Sequence, residues 1–154
     1  MSNEVRSFKK ILDYIDDHPL VVIGTTNEDS TPHGSVVYMT PFKDNDKLYF
    51  ITKTGTTKYH NIIDNPTVSI TAFDEQRTST VQAQGVAHVY KNIEKLGEIM
   101  KRISAAEESL PEWMPPIAKL KSGAYVVFEV TLTIARLAEF KGRKFGSENI
   151  FTEI

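Results

Sequence analysis

Cysteine is absent from all 154 residues. Without a thiol, disulfides, thiolate metal sites and cysteine nucleophiles are excluded. Long apolar runs are missing as well. None approaches the ~20 residues that a bilayer-spanning helix needs. Residues 1–10, MSNEVRSFKK, lack the apolar stretch behind a basic end that marks a secretion signal. The one Asn-x-Thr, Asn65-Pro66-Thr67, has proline in the middle and is no glycosylation acceptor. These absences make the cytoplasm the expected location and argue against a membrane partner. A large charge of one sign is also lacking. The net charge is −2 and the sequence pI about 6.1. Modules that grip nucleic acid usually carry a basic stripe and a high pI, so nucleic acid is not an expected partner.

The familiar catalytic signatures are missing too. There is no G-x-x-x-x-G-K phosphate loop, no G-x-S-x-G nucleophile elbow and no H-E-x-x-H zinc helix. The four histidines, His18, His33, His60 and His88, form no i, i+4 pair, so no metal site is expected. His33 and His60 read as polar surface residues, and Glu28-Asp29 as a solvated turn tip. No side chain stands out as a catalytic acid, base or nucleophile. If the chain is an enzyme, its reactive centre comes from a cofactor.

What is present is an ordinary globular composition: 40% hydrophobic, 25% charged and 10% aromatic residues. A chain of this length buries roughly 70% of its unfolded surface, enough for one core, so residues 1–154 read as a single domain. Val5, Phe8, Leu12 and Ile15 recur at helical spacing, with Ser2 or Asn3 able to cap the start and His18-Pro19 to stop it. The period then becomes two. Strands are expected over Leu20–Thr26, Pro32–Met39, Lys47–Lys53, Thr67–Phe73, Thr80–Tyr90 and Ala124–Phe140. In the last of these, Ala124, Val126, Phe128, Val130, Leu132 and Ile134 share one face. A short helix through Tyr59, Ile62 and Ile63 ends at Asp64-Asn65-Pro66, and a second long helix runs over Asn92–Glu108. Tight turns between successive strands demand antiparallel pairing. The expectation is an α+β, mainly β, fold: six antiparallel strands closed into a barrel, with helices packed outside.

Two constellations carry chemistry. Thr52-Lys53-Thr54-Gly55-Thr56-Thr57-Lys58 lies where a strand ends and the short helix begins. Unpaired N–H groups and the helix dipole favour an anion there, and hydroxyls with a lysine would suit a phosphate. The same residues also read as a plain cap, with Thr56 or Thr57 closing the helix and Lys58 in water. Gln82 and Gln84 share the polar face of the fifth strand, where their amides could meet a ligand edge or a second subunit, or simply water.

The ordered set of segments resembles the pyridoxamine 5′-phosphate oxidase-like flavin-binding split barrels, above all their short general stress protein members. The resemblance runs from about Leu20 to Tyr90. It rests on Val21-Val22-Ile23-Gly24-Thr25-Thr26, the turn from Asn27 to Thr31, and Pro32-His33-Gly34-Ser35-Val36-Val37. It continues through Leu48–Thr52, Gly55-Thr56-Thr57-Lys58, Asn65–Ile70 and Val81-Gln82-Ala83-Gln84-Gly85.

The resemblance implies a six-stranded split barrel, a homodimer, and FMN at the interface. It implies that the backbone of Ser35, Val36 and Val37 lies along the flavin ring, that Thr52, Thr56, Thr57 and Lys58 hold the phosphate end, and that Gln82 approaches from the partner subunit. In the larger relatives that glutamine would fall nearer Thr80. Ser35 and Thr57 stand where those relatives carry arginine, and Lys53, Arg143 or Lys144 could supply the missing charge. The activity implied is an oxidoreductase with FMN and a small-molecule redox substrate. Two other readings stay open: a split barrel holding haem, ligated by His33, His60 or His88, or a deazaflavin; and a cofactor-free interaction module.

Overall fold

The computed structural model describes residues 8–42, 45–108, 123–141 and 151–154. Ser2, Asn3, Val5, Arg143 and Lys144 lie outside these residues.

The first helix, α1 (Lys9–Asp17), turns Ile11, Leu12 and Ile15 inward. Pro19 cannot continue it, and the His18 N–H closes the last turn on the carbonyls of Tyr14 and Ile15. The strands β1 (Leu20–Thr26), β2 (Pro32–Pro41) and β3 (Lys47–Lys53) follow, then α2 (Thr57–Asp64). Next come β4 (Thr67–Asp74), β5 (Ser79–Val89), α3 (Ile93–Glu108), β6 (Tyr125–Glu139) and β7 (Phe151–Glu153). The strand order is β3-β2-β1-β4-β5-β6-β7, every pair is antiparallel, and β3 also pairs with β6. That last pairing closes six strands into the expected barrel. The seventh, β7, had no counterpart in the sequence pattern. Three residues are too few to show a period.

The barrel is filled by alternate residues of its strands: Val21 and Ile23 from β1, Val68, Ile70 and Ala72 from β4, Val81 and Ala83 from β5. Ile11, Leu12 and Ile15 of α1 and Ile62 of α2 belong to the same core. A second cluster lies on the other side of the sheet, where Ile99 and Ile103 of α3 cover Tyr38, Tyr49 and Val127. Strand β3 is therefore covered on both faces, and Leu48, Tyr49 and Phe50 are all buried.

One expectation fails within β6. Ile134 does not share the inward face of Val130 and Leu132; it is exposed, and Ala135 is buried instead. The cause is a bulge. Gln84 faces Ile134 and Gly85 faces Leu132, so Thr133 is an extra residue on β6 and the alternation beyond it slips by one. Among the described residues, no helix is long and apolar enough to cross a membrane.

Candidate functional site

The barrel is closed unevenly. All of β2 from Pro32 to Tyr38 pairs with β1. Its other edge meets β3 only at Met39–Pro41, opposite Leu48–Phe50. Continuing that register would set Val37 against Thr52 and Val36 against Lys53, but there the strands have parted. Ile51, Thr52 and Lys53 pair only with β6. Among the described residues, no strand pairs with β2 at Ser35, Val36 and Val37 on this side, so a split opens there between β2 and the end of β3. Bare backbone N–H and C=O groups are strong hydrogen-bonding groups and call for a partner.

Thr56 is the N-cap of α2, and its Oγ1 accepts from the Tyr59 N–H at 3.4 Å. The same hydroxyl donates to the Lys53 carbonyl at 2.8 Å. Its proton is spent there, so across the 2.9 Å contact between Thr52 Oγ1 and Thr56 Oγ1 the proton comes from Thr52. Both threonines are buried and internally satisfied. They fasten the end of β3 to the start of α2. Of the two capping candidates, Thr56 is the cap, and Thr57 is exposed at the first helical position. The helix geometry leaves the N–H groups of Thr57 and Lys58 without partners inside α2.

Lys58 is half-buried, and burial pulls its ammonium below the usual lysine range, because desolvation disfavours the charged form. Lys53 is buried with its Nζ 4.8 Å from the centre of the Tyr125 ring. Ser35 faces the same way as its β1 partner Ile23, and its Oγ is buried with no hydrogen-bond partner. An orphaned hydroxyl at this depth costs about 1–3 kcal/mol, so a polar ligand atom there would be favoured. Val36 is exposed and Val37 lies in the core, as strand alternation requires.

Of the nine residues picked out by the sequence, Thr52, Lys53, Thr56, Thr57 and Lys58 lie at the junction of β3 and α2, and Ser35, Val36 and Val37 lie on the stretch of β2 beyond its pairing with β3. Gln82 lies apart, on β5. A single row crosses the outer face of the sheet from Val36 through Val22, Thr71 and Gln82 to Arg136. Gln82 is three strands from Val36, about 14 Å at the usual strand spacing. Its Oε1 accepts from Arg136 Nε at 2.9 Å, over a shallow cleft of about 290 Å³ that Ser69, Thr71 and Gln84 also line. Exposed Val22, Val36 and Ile134 share this outer face.

One residue at the site gave no sequence signal. Asn61, buried on α2, donates from Nδ2 to Thr25 Oγ1 at 3.0 Å and to Asn27 Oδ1 at 2.8 Å. The histidines stay apart: His33 is on β2, His60 on α2 and His88 on β5. Among the described residues, no three His, Asp or Glu side chains form a metal-binding group.

Residues 7–137 match the family model described as pyridoxamine 5′-phosphate oxidase. No curated protein matches the sequence. Among solved structures, the chain is similar to a pyridoxamine 5′-phosphate oxidase-related, FMN-binding protein from Nostoc punctiforme, at 12% identity, with 98% of this chain and 97% of that one covered and a TM-score of 0.62. It is also similar to a NimC/NimA family protein from Clostridium acetobutylicum, at 14% identity, 97% and 94% coverage and a TM-score of 0.66. The General Stress Protein 26 from Bacillus anthracis matches at 16% identity, 84% and 91% coverage and a TM-score of 0.59. At such identities the structural likeness speaks for the fold.

Proposed function

Because the chain belongs to the pyridoxamine 5′-phosphate oxidase family, we propose that it is a flavoprotein that binds FMN in the split between β2 and β3. The observation that carries this reading is the split itself: β2 pairs with β3 only at Met39–Pro41, so among the described residues no strand covers that side of Ser35–Val37, and Ser35 carries a buried hydroxyl without a hydrogen-bond partner. The edge at Ser35–Val37 offers hydrogen bonds to the rim of a planar heterocycle. The free N–H groups of Thr57 and Lys58, with the Lys58 ammonium, suit a phosphate. Thr52 and Thr56 serve by holding that helix end in place. Two positions where larger relatives carry arginine are hydroxyls here, and an Arg fork suits phosphate better than a single hydroxyl does. The residues fit the group with a lighter grip on its phosphate.

Bound flavin would supply two-electron redox chemistry, and the chain would act as an oxidoreductase on a small molecule. The protein's own part is to bind, orient and exclude water. A second copy of the chain completes the site in this reading. Gln82 is too far across the sheet to reach the split of its own barrel, so it serves the split of a partner. The exposed Val22, Val36 and Ile134 give the outer face the apolar character a homodimer needs.

The test is a visible absorption spectrum of the purified protein, repeated after FMN is added and the excess removed. Flavin bands that remain with the protein support the reading, and Lys58→Glu should then release them. A colourless protein that retains no FMN, or a Lys58→Glu variant with unchanged affinity, refutes it.

A further inference from the structure

We infer that Asn61 is a positioning residue: it ties α2 to the β1–β2 turn and so aims the helix N-terminus at the ligand's phosphate. The inference rests on the FMN reading above.

Several ties hold α2 in place. Its start is held by the Thr52–Thr56 hydroxyl pair. Ile62 anchors one side in the barrel core, and Tyr59 packs against Phe128. Apolar contacts such as these hold the helix against the barrel but are non-directional. Asn61 supplies the direction. Both hydrogens of its amide are used, one on Thr25 within β1 and one on Asn27 at the start of the turn.

The turn that receives them is itself braced. The Asn27 N–H donates to the Thr31 carbonyl at 2.8 Å, and Asn27 Nδ2 donates to Thr31 Oγ1 at 3.1 Å. The Asp29 carboxylate accepts from both the hydroxyl and the N–H of Thr31. A chain of hydrogen bonds thus runs from the exposed tip of the hairpin to the buried side of the helix. It ends one turn from Thr57 and Lys58, the two residues whose N–H groups point out of the helix end.

The consequence concerns selectivity. A helix rolled out of place would misdirect the N–H groups at a phosphate but leave the bare β2 edge untouched. FMN and riboflavin share the ring and differ in the phosphate. Their affinity ratio therefore reads the contacts to the phosphate, those of the α2 N-terminus among them.

The experiment measures Kd for both flavins by fluorescence quenching in the full chain, with Asn61→Leu and Asn27→Ala. We expect Asn61→Leu to weaken FMN about tenfold, as loss of roughly one hydrogen bond to a charged group would, and to leave riboflavin within about twofold. Asn27→Ala, which leaves the helix sequence intact, shifts the ratio in the same direction by less; it stands in if Asn61→Leu fails to fold. Equal weakening of both flavins, or no change in either, makes Asn61 merely structural and overturns the inference. A wild-type protein that binds neither flavin, or does not prefer FMN, refutes the phosphate site itself, and the inference falls with it. That outcome shows before any variant is made.

Discussion

Gly85 of β5 lies against the backbone of Thr131 on β6: a Cβ at position 85 would stand 2.7 Å from the Thr131 carbonyl oxygen and 2.8 Å from Val130 Cγ1. The contact sits beside the bulge at Gln84/Gly85, where the two longest strands of the barrel re-register. Backbone cannot step aside as a side-chain tip can. Gly85→Ala is expected to cost about 3 kcal/mol by overpacking. Thermal unfolding followed by circular dichroism should show a fall in Tm of roughly 10 °C. An unchanged Tm would mean that the strands are less tightly apposed at the bulge.

A second contact ties stability to acid. The Asp74 carboxylate accepts from the backbone N–H of Arg77 and faces His18 Nε2 at 2.8 Å. The Arg77 N–H, then the histidine, hold this carboxyl below the ordinary carboxylate range. A group whose folded pKa is depressed adds stability above its unfolded pKa, near 4, and that stability is lost as pH falls through the folded value. Asp74→Asn should therefore lower Tm at pH 7. The gap to wild type should close as pH drops below about 4. A gap that does not shrink at all as the pH is lowered from 4 contradicts this account.

The third prediction follows from the half-buried Lys58. Its ammonium loses its proton at lower pH than an exposed lysine does. If that charge holds the phosphate, FMN affinity weakens on the alkaline side, earlier than for a lysine in water, while riboflavin affinity stays level. Titrations of both flavins between about pH 7 and 10 check it, and Lys58→Arg should flatten the FMN curve because the guanidinium stays charged throughout. Parallel curves for the two flavins would remove Lys58 from the phosphate site.

The outer face supplies the fourth. Val22 sits at the middle of the row that joins Val36 to Gln82, and it is exposed in the single chain. Val22→Lys should convert a two-chain species to one in sedimentation equilibrium. FMN should be lost in parallel, since Gln82 would no longer reach a neighbouring split. Full flavin retention by the monomeric variant would show the site to be complete within one chain.

The barrel was largely legible in the sequence because its strands are half-buried. Val68, Ile70 and Ala72 alternate with exposed positions, and the end of α1 is written in His18-Pro19. Ile134 was misassigned because its neighbours keep the period; only the partner strand shows that Thr133 is the extra residue. The split was implied only by the family resemblance; where β2 and β3 part company is encoded by no local pattern. Asn61 escaped for a similar reason: its partners Thr25 and Asn27 are 36 and 34 residues away, and a lone asparagine in a helix carries no mark of them. Gln82 is a candidate by type and by resemblance, and the cross-strand row adds only its distance from Val36 on the same sheet.

The double covering of β3 has a consequence in time rather than in space. Leu48, Tyr49 and Phe50 are sealed by the barrel core on one side and by α3 on the other. Local opening follows the least-buried backbone, so these amides open last, close to the free energy of unfolding the whole chain. In deuterated water β3 would be the slow clock of the molecule. The β2 edge beside the split would lose its protons early, unless a ligand has already closed over it.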